Sequence, residues 1–298
     1  MNGQLKMSTF PLPLNNNFYM RNLLFFIGVI SFLSACNFSD KSQKDQVEAP
    51  KMADTSAQIE TQATLPTGLS FKKFNLKAEN CNMPFSDGFE MEIDEDWCNT
   101  REIDGLKVSM KDAEVAQKIN ILIEKVITGA GGGKEKSLKQ FMADIKNTST
   151  EEGDVEYMQD SYTCRLADSS NTFLSMYIFS EYYGFGAAHG QHGSSVLNID
   201  LKTGNQIKLK DVLVDNYKSA LKVLGKRKFL EQNGNDVWWF STEDDQPFEL
   251  PEVFSITRKG ITFTYQHYEI GPYAAGAPEV FLSIKDLGPL LKVNPYLK

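Results

Sequence analysis

Between Tyr177 and Val212 apolar and polar positions alternate with a period of two. Leu197, Ile199 and Leu201 fall on one side of the pattern, and Val196, Asn198 and Asp200 on the other. That spacing buries one face of a sheet. The run Lys202–Asn205 supplies a turn in which Gly204 takes a positive φ without steric cost. Ile207 and Leu209 then resume the apolar face, which predicts an antiparallel hairpin. The same period marks strands over Leu69–Leu76, at Phe89, Met91 and Ile93, and twice between Val155 and Phe179 around the connection Ala167–Asn171. Further on, Ile261, Phe263 and Tyr265 alternate with Thr262, Thr264 and Gln266, and Glu279–Ile284 makes a last strand before a short terminal helical turn.

Three segments carry helical spacing instead. Val115, Ile119, Leu122 and Val126 recur along Asp112–Ile127, with Asp112 placed to cap the first turn. Leu138, Phe141, Met142 and Ile145 share one face of Ser137–Lys146, and Tyr217, Leu221 and Leu224 one face of Asp215–Gln232, where Asp215 is the expected cap. Together these predict an α+β fold, an antiparallel β-sheet packed against α-helices. An N-terminal α+β part is expected over 67–170 and a C-terminal part over 171–298.

The first 66 residues follow neither period. Arg21 precedes the apolar run Leu23–Leu33, which is shorter than the roughly 20 residues of a membrane span but suits a signal-peptide core. It ends in Leu33-Ser34-Ala35-Cys36, small residues before a cysteine, as in the lipobox of bacterial lipoproteins. Residues 1–36 are therefore expected to be a signal peptide, with Met20 the expected start and Cys36 carrying an acyl (palmitate-type) membrane anchor. Residues 37–66 are rich in Ser, Lys, Asp, Gln, Ala and Thr, cannot offset their ordering entropy, and read as a flexible tether. The expected location is the bacterial cell envelope, facing the periplasm.

Net charge of −8 and a pI near 5.1 exclude a nucleic-acid partner, since phosphate binding needs a basic face. Of the four cysteines, Cys36 goes to the anchor, Cys81 and Cys98 are expected to pair, and Cys164 is left buried in a strand. No C-x-x-C spacing suggests a zinc ribbon or a redox pair. The run Gly129–Ser137 resembles a phosphate loop only superficially. Thr128 occupies the place of the early glycine, and Glu135 the place of the hydroxyl after the lysine, so it reads as a helix connection. No cofactor is expected. Trp238, Trp239 and Phe240 read as residues half-buried in a sheet.

All three histidines lie in two short stretches, His189 and His192 within Gly184–Gly193, and His267 where the alternation of the later strand breaks before Gly271 and Pro272. The order of motifs is informative. Tyr182–Gly190 (YYGFGAAHG), Asn198–Leu213 (NIDLKTGNQIKLKDVL), Gly260–Val280 (GITFTYQHYEIGPYAAGAPEV) and a leucine-rich ending resemble the C-terminal domain shared by RsiV-type anti-sigma factors and PdaC-type peptidoglycan deacetylases. The resemblance covers about residues 105–292 and includes the helix containing Glu114–Ile127. The chain departs from the family's double glycine before Ala-His-Gly, having Gly184-Phe185-Gly186-Ala187. Transmembrane, sigma-binding and deacetylase parts are not expected in this sequence.

The resemblance implies a non-catalytic envelope binding module whose ligand is a lysozyme-like protein or peptidoglycan. Tyr183, Phe185, His189, Tyr268 and Tyr273 are then the expected contacts, because aromatic side chains supply large contact area at low entropy cost. An acidic body would steer a basic lysozyme. The alternative is a metal-dependent or other envelope hydrolase built on His189, His192 and His267, with Glu269 as a further ligand. Its H-x-x-H spacing has no general-base partner, and no G-x-S-x-G nucleophile elbow is present.

Overall fold

The strands expected from the two-residue period assemble into two sheets. The structure, a computed structural model, describes residues 65–81, 98–129, 136–145, 158–184, 187–234, 238–241 and 247–297. The leader, the lipobox with Cys36, most of the tether, the expected strand at Phe89–Ile93 and the glycine run at 130–135 lie outside the described residues.

The larger sheet has the order β1 (Ser70–Asn80), β2 (Asn99–Ser109), β3 (Met158–Ser169), β4 (Phe173–Gly184), β5 (Gln191–Asp200). It continues without interruption across residue 170, so both halves of the sequence contribute to it. Neighbours run antiparallel except β2 and β3, which are parallel. A parallel pair needs a crossover, and α1 (Ala113–Gly129) and α2 (Leu138–Asp144) lie within it. Cys81 and Cys98 form a disulfide just beyond the paired ends of β1 and β2.

α1 and α2 cover one face of this sheet. Asp112 caps α1 by accepting from the amides of Glu114 and Val115, both at 3.1 Å, and Ser137 caps α2 in a reciprocal box with Gln140. The stripe that α1 buries is Ala116, Ile119, Ile123 and Ile127. It is turned slightly from the expected one, so that Val115, Leu122 and Val126 are half-buried at its rim. These residues pack with Ile103, Tyr162, Leu174, Ile178, Leu197 and Ile199 into one core. Cys164 lies in it, and burial pushes its thiol pKa up to about 11, far from a reactive thiolate. At the core's edge Arg101 makes an ion pair with Asp160, its Nε donating at 2.8 Å and one terminal nitrogen at 2.5 Å, while the other donates to the carbonyl of Phe141 at 2.6 Å.

The smaller sheet, β6 (Phe254–Thr257), β7 (Gly260–Thr264) and β8 (Glu279–Ser283), is antiparallel and packs against α4 (Tyr217–Asn233). Phe229 of α4 is fully buried and meets Trp238, Phe240 and Tyr265 edge-on, with centroids 4.9–5.7 Å away. Trp238 and Phe240 are both buried there, and Trp239–Ser241 is a 3₁₀ turn, not the sheet expected from the sequence. The α4 N-cap is Asn216 in the left-handed conformation, one residue past the expected Asp215.

The hairpin after β5 is shorter than its pattern suggested. Gly204 has φ +67° and its amide bonds Asp200, but the return strand is a single bridge, Ile199 to Gln206, before α3 (Leu209–Val212) begins. The two sheets are joined by buried Asn198, whose amide donates to the carbonyl of Phe254 and accepts from the amide of Ile256, both at 2.8 Å. Tyr177 and Ser255 share a hydroxyl hydrogen bond at 2.9 Å, and Arg258 pairs with Asp168 at 3.0 Å. This junction occupies one end of the face of β4 and β5 that α1 and α2 do not cover.

Candidate functional site

At the other end of that face the two histidine-bearing stretches meet. β4 and β5 bring up the loop containing Ala187–Gly190. β7 ends at Thr264, and the residues after it turn toward the loop. Gln266 makes the connection: its Oε1 accepts from the amide of Ser194 at 2.9 Å, and its Nε2 donates to the carbonyl and hydroxyl of Ser194 at 3.0 and 3.1 Å. A side-chain amide thus does what a neighbouring strand would do. Glu269 closes the following turn by accepting from the amide of Gln266 at 2.8 Å. Ile270 is buried, and Gly271 presses on Trp238 so closely that a Cβ there would lie 3.1 Å from the indole.

Tyr273 is the centre of the site. Its ring stacks on His189 with centroids 4.0 Å apart and a 21° tilt, and lies 4.8 Å from His267 and 5.5 Å from Tyr268. Its hydroxyl donates to the carbonyl of Gly190 at 3.2 Å. The Nδ1 of His189 lies 2.9 Å from the same carbonyl, which selects the Nδ1–H tautomer and leaves Nε2 to accept from the Tyr268 hydroxyl at 3.3 Å. His192 stands 5.4 Å from His267 by ring centroids, and its Nδ1 is 3.6 Å from a carboxylate oxygen of Glu181. Burial, reinforced by the nearby His192 and His189, lowers the pKa of His267 and favours its neutral form.

Tyr268 is the exception in backbone. It has φ +62°, in the left-handed region that non-glycine residues seldom occupy, and its side chain is 53% exposed. Of the five expected contacts, His189, Tyr268 and Tyr273 form one cluster. Tyr183 lies on β4, paired with Gln159 of β3. Phe185 lies outside the described residues. His192 and His267 complete the cluster, so all three histidines of the chain lie around one tyrosine. Among the described residues no three His, Cys, Asp or Glu side chains are grouped to hold a metal ion, and the ring of Tyr273 lies against His189 and His267. Gln266 was not foreseen, and its place at the polar end of an alternating strand gave no sign of its role.

Beside the cluster the open sheet face forms a groove of about 270 Å³, lined by Glu102, Gln159, Ser161, Glu181, Tyr183 and His192 among others. Residues 210–285, which include α4, the small sheet and the Gln266–Tyr273 turn, match the family described as Protein of unknown function (DUF3298).

Two solved structures share this fold. A member of the DUF3298 family from Bacteroides fragilis NCTC 9343 superposes with a TM-score of 0.58 at 21% identity, over 77% of this chain and 96% of that one. A DUF3298 family protein from Pseudomonas aeruginosa PAO1 gives 0.58 at 17%, over 77% and 97%. No curated protein matches the sequence. Among the described residues no helix is long and apolar enough to cross a membrane.

Proposed function

We propose that this chain is a lipid-anchored, non-catalytic binding protein of the cell envelope, facing the periplasm. Its His189–Tyr268–Tyr273 platform contacts a lysozyme-like protein or a peptidoglycan-related ligand. Tyr268 carries this reading. A left-handed tyrosine costs about 1–3 kcal/mol of backbone strain, and here it holds an exposed ring beside His189 and Tyr273. Exposed, preorganised tyrosines are typical anchors of protein interfaces. The resemblance of the surrounding motifs to RsiV-type and PdaC-type domains supplies the ligand class, and the apolar run before Cys36 supplies the anchor.

The test is binding of the purified chain to a c-type lysozyme and to isolated peptidoglycan sacculi, with Tyr268→Ala alongside. Wild type is expected to bind at least one of them, and the variant at least about 10-fold more weakly, as for a truncated interface anchor. Absence of binding to both, or equal binding by the variant, refutes the proposal. Mass spectrometry of the mature N-terminus checks the acyl group on Cys36.

A further inference from the structure

The groove beside the platform has a specific layout. Strand register places Lys77, Glu102, Ser161, Glu181 and His192 in one row across β1 to β5. Adjacent strands are about 4.8 Å apart, so Glu102 and Glu181 stand about 10 Å apart with Ser161 between them. Serine is short, which leaves depth between two longer carboxylates. The next row adds Asp104, and the row on the other side adds Thr100, Gln159 and Tyr183.

The cations near the row have closer partners than its carboxylates, although Lys77 also acts on Glu102 from a distance, and Arg165 lies over the ring of Phe179. Lys77 turns to Glu79 at 2.6 Å, and Arg101 belongs to the opposite face, where it neutralises Asp160. Glu102 and Asp104 share the amide of Asn75, at 3.0 and 2.9 Å, and Glu181 meets His192 and the hydroxyl of Ser161. Among the described residues no lysine or arginine forms an ion pair with Glu102, Asp104 or Glu181. Three carboxylates on one uncovered sheet face repel each other, and a cation placed over Ser161 relieves that repulsion.

We infer that this groove, on the uncovered face of the larger sheet and continuous with the platform through His192, receives a lysine or arginine side chain from a basic segment of a protein partner. The inference rests on the binding reading above and narrows it from envelope ligands in general to a basic protein. A guanidinium above Ser161 lies within reach of both glutamates, and the amide of Gln159 and ring of Tyr183 border the same space. The net charge of −8 favours the approach of the same class of partner.

The test uses the isotope-labelled full chain and a tri-arginine peptide, with tri-citrulline as the uncharged control and chitotriose as a neutral glycan. Tri-arginine is expected to shift the amide signals of Glu102, Ser161 and Glu181 and to bind more weakly as salt is raised. Each of Glu102→Gln and Glu181→Gln should weaken it by about 1.5- to 5-fold, and the double variant by about 10-fold. Ser161→Arg, which supplies the cation from within, should abolish it; unchanged melting of all four variants verifies their folding.

No shift at these amides, an equal response to tri-citrulline, or undiminished affinity in the double variant overturns the inference. Occupation of the groove by chitotriose in place of tri-arginine overturns it as well. If tri-arginine enters the groove while neither lysozyme nor sacculi bind, the platform reading falls and the groove stands.

Discussion

Replacing Gln266 by alanine should loosen the junction on which the platform depends, by an amount that follows from its three hydrogen bonds to Ser194. A net protein hydrogen bond contributes about 0.5–1.5 kcal/mol, and leaving a partly buried amide and carbonyl unpaired adds to that. The hydroxyl of Ser194 can turn elsewhere, so two bonds count fully and one in part, giving about 2–3 kcal/mol. For a body of this size a kilocalorie moves the melting temperature by about 2–4 °C, which predicts a fall of about 5–10 °C. Gln266→Glu keeps an acceptor for the Ser194 amide but loses the donor, and places a carboxylate beside Ser194 O and near Glu269. It should cost at least as much as alanine. Differential scanning calorimetry measures both variants, and the lysozyme or sacculus assay reports whether the platform has lost its geometry. A Gln266→Ala protein melting within 1 °C of wild type would refute the view that this side chain replaces a missing strand contact.

Two further outcomes follow from the electrostatics. The folded-state pKa of His267 is lowered, so the unfolded chain binds this proton more readily. Its stabilising contribution is complete above the unfolded value of about 6.5 and is lost as pH falls below it. His267→Gln should therefore shrink the loss of stability between pH 7.5 and pH 5, measured by urea unfolding, and an unchanged loss would refute this account. Arg101→Met leaves Asp160 buried without its partner and should cost about 3–5 kcal/mol; in the Arg101→Met, Asp160→Asn double variant most of that cost should disappear, as a thermal-melt cycle will show.

Much of the fold was readable along the chain because its signals are local. Asp112 ahead of an apolar stripe marks a helix start, and the alternation through Phe263 marks a strand with no help from distant residues. What escaped depends on tertiary placement. Trp238 and Phe240 are held at a 3₁₀ turn and not in a strand, against Phe229 from a distant helix. The return strand after Gly204 reduces to one bridge because α3 begins almost at once. In the site, His189, Tyr268 and Tyr273 attract notice by type alone, whereas Glu102 and Glu181 become neighbours only through the register of three strands. No periodicity within one segment encodes that row.

The left-handed backbone of Tyr268 has a consequence for anyone who would toughen this protein. Glycine at this position would relax the chain and raise its melting point, yet it would erase the ring that crowns the cluster. A screen scored on heat resistance alone would accept that exchange and return a hardier scaffold with a blunted face.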